Sequence, residues 1–300
     1  MNLYNLFNFI LFSTSLLGFA QNEQNNANLC ESGIEHINNY QFNQAIQKLN
    51  TDECLNSKRS NYYLRKLAYA YTKNGNYGEA KTTYKRLIRR DSTNTKAYFQ
   101  LAGIYKRESN PEKAIYFYEK MIQLDNSNSY YHKKIGDVYW SQKNIKGAAI
   151  AYQKSHELNS NNVEVISKLS NIFFKLELYE RSHVLIDQGL ELNPKSILLL
   201  KQKAKLYYAK KSYKKLIETV DQIDEIVEQP SDYLLNLKAI ALYKTDDFDQ
   251  AIKLFSQLFD DYQDKEIVHY YLGMCFQKTD ELSKSEHHFE KAIDEGMSDN

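Results

Sequence analysis

Three cysteines, Cys30, Cys54 and Cys275, and seven histidines are the side chains here best suited to nucleophilic or metal chemistry. The nearest thing to a ligand set is the run Glu286, His287, His288 with Glu290 one turn further on. Consecutive histidines point in different directions on a helix, so this run reads as a solvated polar face. His132, His156, His183 and His269 are scattered along the chain. The sequence has no glycine-rich phosphate loop, no paired-cysteine motif and no His-Glu-x-x-His. No nucleophile is matched to a base and an orienting group. The sequence therefore predicts no catalytic residue, no cofactor and no metal: a protein that is not an enzyme and works through its surface.

The elements that must shape that surface follow first from composition. A chain of 300 residues with 42% hydrophobic content can bury a sizeable core. Only 3 prolines and 10 glycines stand against 25 tyrosines and 14 phenylalanines, which disfavours both disorder and a turn-rich all-β chain. The formal net charge is +1, but it is unevenly spread: residues 216–300 hold 7 basic and 20 acidic side chains, leaving 32 and 18 before them. The chain is thus about +14 and then −13.

The opening MNLYNLFNFILFSTSLLGFAQ is an apolar run with Gly18 and Ala20 at the −3 and −1 positions of a cut before Gln21. It reads as a secretory signal peptide over residues 1–20. No Lys or Arg precedes the apolar core, which keeps an uncleaved membrane anchor as the alternative. The polar stretch that follows, residues 21–25 first, reads as a flexible lead-in. No later segment approaches the roughly 18 apolar residues of a bilayer span. The expectation is an exported protein, periplasmic or secreted, with no stable transmembrane span once the signal is removed.

An internal period organises the rest. Gly33, Ala68, Ala102, Gly136, Ser170, Ala204, Ala239 and Gly273 recur at steps of 34 or 35 residues. Twelve residues after each comes a second position: Ala45, Ala80, Ala114, Ala148, Ser182, Leu216, Ala251 and Ser285. A large ring, such as Tyr71, Tyr105 or Tyr139, usually stands three residues after the first small position. A large apolar residue, such as Tyr84, Tyr118 or Phe255, stands four after the second. Spacings of three and four keep side chains on one helix face. Each unit is then two amphipathic helices, A and B, that approach closely at the small residues. Turn chemistry agrees: in SNPEKA, Ser109 or Asn110 can cap helix B while Pro111 takes its first position. The rings at these positions are core packing.

This pattern resembles the tetratricopeptide repeat family, with its small residues at positions 8 and 20, aromatic at 11 and large apolar residue at 24. The resemblance implies an all-α fold, a right-handed α-solenoid of antiparallel helix pairs over residues 26–299. Its units are 26–60, 61–94, 95–128, 129–162, 163–196, 197–231, 232–265 and 266–299. Departures are His36 at the aromatic position of the first unit, Leu216 in place of a small residue, and a late proline only at Pro194.

The resemblance also implies where a partner binds. In this family the A helices line a concave face, and positions 2, 5, 6, 9, 12 and 13 meet the ligand. Those slots hold Arg65, Lys66, Tyr69, Lys96 and Phe99 in the second and third units, with Lys106 and Arg107 at the end of the third. In the fourth they hold Tyr130, Lys133, Lys134, Asp137 and Trp140. The fifth and sixth supply Lys168, Phe174, Lys175, Lys201 and Lys205, beside Asn171. Basic residues outnumber acidic ones twelve to two across the slots of these five units. Rings among cations suit an extended acidic peptide or protein segment, by charge pairing and stacking. The sequence thus predicts a non-catalytic scaffold or adaptor, with a possible second partner at the acidic C-terminal repeats. The alternative is a binding module for an anionic polysaccharide or nucleic acid. Export and the acidic C-terminal third make nucleic acid the less favoured partner. In an antiparallel pair the start of helix A lies beside the end of helix B, which makes Cys30 and Cys54 a candidate disulfide.

Overall fold

The computed structural model describes residues 28–228, 231–258 and 265–296. The stretches read from sequence as a signal peptide, 1–20, and a lead-in, 21–25, lie outside these residues. Seventeen helices and no strand occur among the described residues. They are α1 (28–38), α2 (Phe42–Leu49), α3 (Asp52–Leu55), α4 (Ser60–Lys73), α5 (Tyr77–Arg90), α6 (Thr95–Arg107), α7 (Pro111–Leu124), α8 (Ser129–Ser141) and α9 (Ile145–Leu158). After these come α10 (Val163–Lys175), α11 (Tyr179–Leu192), α12 (Ile197–Ala209), α13 (Tyr213–Asp224), α14 (Asp232–Lys244), α15 (Phe248–Gln257), α16 (Lys265–Lys278) and α17 (Leu282–Asp294). No described helix is long and apolar enough to cross a membrane.

The chain divides into two compact units, up to Ala151 and from Tyr152 onward. In the first unit α4 pairs with α5 and α6 with α7, and α5 packs on α6 and α7 on α8. In the second, α10 pairs with α11, α12 with α13, α14 with α15 and α16 with α17. Small residues make this possible. Ala80, Ala114, Ala148 and Ala251 are fully buried at the contact between paired helices. Where serine replaces alanine, its hydroxyl donates across the pair to the carbonyl of the other small position: Ser182 Oγ to Ser170 O and Ser285 Oγ to Gly273 O, each 2.9 Å. A buried hydroxyl is thus satisfied at the point of closest approach. Leu216 is also fully buried, in a core with Leu200, Ala204 and Tyr207.

One turn geometry joins A to B throughout. Tyr40, Ser109, Lys143, Glu177, Lys211, Asp246 and Asp280 adopt φ of 55 to 63°, and Gly75 stands at the same place with φ 83°. The next residue donates its N–H back to the carbonyl of position 11, as in Asn76 to Tyr71 (2.9 Å), Asn110 to Tyr105 (2.8 Å) and Leu178 to Phe173 (2.8 Å). This left-handed close satisfies carbonyls that a helix end leaves free. Asn110 Oδ1 then accepts from Lys113 N (3.1 Å) and Asn144 Oδ1 from Gly147 N (2.9 Å), capping the B helices. The return turns are also regular. Asp91 accepts from the hydroxyl and amide of Thr93, and Asp125 from those of Ser127. Those bonds, the hydroxyl's first, hold both carboxyls below the usual range. Asn94, Asn128 and Asn162 follow as caps of α6, α8 and α10.

The first helix pair departs from the pattern. Its helix B stops at Leu49, and Cys54 sits on the separate one-turn α3 rather than at the end of helix B. Cys30 and Cys54 are disulfide-bonded, with α-carbons 5.6 Å apart and both residues in the core.

Candidate functional site

Within the first unit, three successive A helices line an open cavity of about 660 Å³. From α4 come Arg65, Lys66 and Tyr69; from α6 and its cap come Asn94, Thr95, Lys96, Ala97, Phe99 and Gln100; from α8 and its cap come Asn128, Tyr130 and Tyr131. The floor is made by B-helix side chains, Tyr84 and Leu87 on α5 and Met121 on α7. All three floor residues are buried. Burial pushes the Tyr84 phenol up to about 12, so it stays protonated at neutral pH.

Rings form the walls. Phe99 lies 6.0 Å from Tyr130 between centroids, inclined at 32°, and 6.1 Å from Tyr118 in an edge-on contact. Lys134 lies over the Tyr130 ring at 4.9 Å, while Arg65 and Lys66 lie over Tyr62, a ring outside the lining, at 5.5 and 5.6 Å. Arg65, Lys66 and Lys96 are the charged residues lining the cavity, and no Asp or Glu lines it. Asn94 and Asn128 spend their side-chain oxygens on Ala97 N and Tyr130 N. Both side chains also hydrogen-bond the aspartate that opens the same turn, Asn94 to Asp91 and Asn128 to Asp125. The arrangement is a floor of buried side chains, an aromatic wall and a rim of positive charge, which suits an anionic ligand with an apolar part.

Of the residues expected to face a partner, Arg65, Lys66, Tyr69, Lys96, Phe99 and Tyr130 come together at this cavity. Lys106, Arg107 and Trp140 do not line it; they occupy the far ends of α6 and α8, and Arg107 donates to the Tyr77 hydroxyl at 3.0 Å. Lys133 is only 7% exposed and lies against the Tyr130 ring at 5.7 Å. A long aliphatic stem is readily buried in this way. Lys134 pairs at 3.9 Å with Asp137, which the sequence placed in the same slots. In the second unit, Lys168 pairs with Glu164 at 2.8 Å, Phe174 packs on Tyr179 and Lys205 lies over Tyr233 at 4.8 Å. Asn171 and Lys201 are half-buried there, and Lys175 is exposed.

Two constellations were not visible in sequence. His269 and His288, nineteen residues apart, meet at 3.0 Å between their Nδ1 atoms, and His288 stacks on Phe276. The solvated-face reading therefore holds for the exposed His287 but not for His288. Burial first, then the neighbouring His269 and His287, lowers the His288 pKa from its usual 6.5 to about 4. No group of three or more potential metal ligands occurs among the described residues. In the second constellation, Lys238 reaches Asp221 at 2.6 Å and Asp224 at 2.9 Å. Burial opposes the Lys238 charge, but these bonds outweigh it and raise its pKa. Cys275 is a buried thiol, pushed up to about 12 by burial.

A model of the tetratricopeptide repeat family matches residues 65–129 and 236–300. The first match runs through the helices around the cavity. None of the curated proteins matches the chain. Among solved structures, a tetratricopeptide repeat protein from Parabacteroides merdae is 17% identical with a TM-score of 0.54, over 80% of this chain and 94% of that one. The Pseudomonas aeruginosa protein pilF is 18% identical, with a TM-score of 0.52 over 74% of this chain and 96% of its own. PilW, described as a widely conserved type IV pilus biogenesis factor, is 14% identical, with a TM-score of 0.52 over 72% and 100%. At these identities the likeness is one of fold. The two matched segments carry tetratricopeptide repeats, and the helix pairs form the α-solenoid expected of such repeats.

Proposed function

We propose that this protein is a non-catalytic interaction scaffold, built of eight tetratricopeptide repeats over residues 26–299, whose first unit holds an extended acidic segment of a protein partner. The observation that carries the reading is the charge of the cavity: Arg65, Lys66 and Lys96 line it and no carboxylate does. A carboxylate-bearing chain laid across α4, α6 and α8 meets cations at the rim. Exposed charges of this kind speed encounter and are screened beyond about 8 Å at physiological ionic strength. The export signal read at residues 1–20 supports a partner outside the cytoplasm, and the acidic residues after Leu216 support a second one.

An anionic polysaccharide or a single-stranded nucleic acid is the competing ligand class. The 20 acidic side chains of residues 216–300 disfavour it, because a long polyanion would be repelled there. Fluorescence anisotropy with a labelled oligo-glutamate peptide, heparin and oligo-dT separates the classes. Saturable binding of the acidic peptide is expected, weakened by salt and lost in a protein carrying Arg65→Glu, Lys66→Glu and Lys96→Glu. Preferential binding of heparin or oligo-dT, or an unaffected triple variant that keeps its helical circular dichroism, would reject the reading.

A further inference from the structure

We infer that the cavity of the first unit selects an aromatic side chain flanked by carboxylates, so that specificity lies in the ring and charge serves to hold the segment around it. The inference rests on the reading that this unit binds an acidic segment, and it names what that segment must contain. A purely acidic chain would need only a charged surface. Instead the structure provides about 660 Å³ of space beside the cations, floored by Tyr84, Leu87 and Met121 and walled by Tyr69, Phe99 and Tyr130. That volume lies in the range of small-ligand pockets and exceeds what a carboxylate at the rim would use.

The walls favour a ring over an aliphatic chain. Phe99 and Tyr130 are inclined at 32° with centroids 6.0 Å apart, and Phe99 meets Tyr118 edge-on. A third ring entering beside them continues the same offset and edge-to-face contacts, which aromatic groups prefer to face-to-face stacking. The wall is also incomplete on the ligand side, since Tyr69 and Tyr130 are 36% and 41% exposed. Filling the cavity would cover both. The cations lie to the side of this space, Arg65 and Lys66 on α4 and Lys96 at the start of α6, with Lys134 beyond Tyr130 on α8. Carboxylates on both sides of the ring therefore find partners, while a carboxylate in place of the ring would be driven onto an apolar floor.

The test uses the full chain and three labelled eight-residue peptides. One has Asp and Glu around a central Phe; the second has the same acids around Ala; the third has the Phe among Ser and Asn. The acidic Phe peptide is expected to bind on the order of tenfold or more tighter than the acidic Ala peptide, the effect of burying one ring. It should also bind tighter than the neutral Phe peptide, with an advantage that shrinks as salt rises. Tyr69→Ala with Tyr130→Ala should erase the difference between the two acidic peptides and leave their common, salt-dependent binding. Tyr116→Ala, at an exposed ring that does not line the cavity, should change nothing. Equal affinity for the two acidic peptides would overturn the inference while leaving the acidic-segment reading intact. Equal affinity for the two Phe peptides would overturn the role of the carboxylates. Failure of both acidic peptides to bind would overturn the inference together with the reading on which it rests.

Discussion

Gly75 offers a clean measurement of what the repeated turn costs. It occupies the left-handed position between α4 and α5 with φ 83°, and beyond its own chain neighbours no heavy atom lies within 4 Å of where a Cβ would be. Gly75→Ala therefore introduces no clash, and its whole effect is conformational. Holding a residue with a Cβ in the left-handed region costs roughly 1–2 kcal/mol. Alanine returns about 0.4–1 kcal/mol by restricting the unfolded chain. The net expectation is a loss of about 1 kcal/mol. The reverse change is available at Lys143, which holds the same place between α8 and α9 with φ 58°. Lys143→Gly should stabilise by about 0.5–1 kcal/mol by the same reasoning. Urea unfolding followed by circular dichroism reads both changes as opposite shifts of the midpoint. Because helix arrays can open in stages, amide exchange in α5 and α9 gives the local counterpart. Midpoints that move in the same direction, or stay fixed in both variants, would refute the idea that backbone strain sets the stability of these turns.

Gly273→Ala should destabilise by about 1–3 kcal/mol through overpacking, because its Cβ would stand 2.7 Å from two ring atoms of Phe289. Gly103→Ala, in open space on α6, should stabilise by roughly 0.5–1 kcal/mol, and thermal melts of the pair check both signs. Reduction of Cys30–Cys54, whose partners are 24 residues apart in sequence, should remove about 3.5 kcal/mol from the first helix pair in the chain-entropy model, read as protease sensitivity before α4. Cys275 should stay unreactive to a thiol reagent until the protein is denatured, since burial holds it protonated. His288 is depressed in the folded state, so its neutral form carries no penalty above its usual 6.5, and stability falls as pH drops from 6.5 towards 4. Titration by NMR should find His288 neutral at pH 6, and His288→Phe should flatten the acid limb of the stability curve.

The helix pairs were legible because close packing leaves a mark at fixed spacing: only a small side chain, or an accommodated Leu216, fits where two helices meet. The turns were legible only as capping chemistry. Their left-handed residue is glycine at position 75 alone, and Ser109, Lys143 and Glu177 reveal nothing of it, because the packed helices on either side impose that backbone. The cavity rim was legible in Arg65, Lys66, Lys96 and Phe99, which recur on one face of the A helices. Its floor was not, since Tyr84, Leu87 and Met121 carry the same signature as any core residue of helix B. A void between helix pairs belongs to no single helix, so no periodicity records it. Lys133 shows the converse limit, a charge in the right slot whose stem is buried. The meeting of His269 and His288 depends on how α16 lies against α17, which residue spacing does not specify.

The cavity gives the first unit a thermodynamic property that helix pairing lacks. In an array of this kind each pair leans mainly on its immediate neighbours, so opening spreads step by step and one pair can be lost with little effect two pairs away. A ligand seated on α4, α6 and α8 together touches three successive pairs at once. It couples the outer two directly and turns three separately opening elements into one cooperative block. At a free concentration one hundred times its dissociation constant that block gains about 2.7 kcal/mol. Occupancy would then register as slowed exchange throughout α4 to α8, including amides that the ligand never contacts.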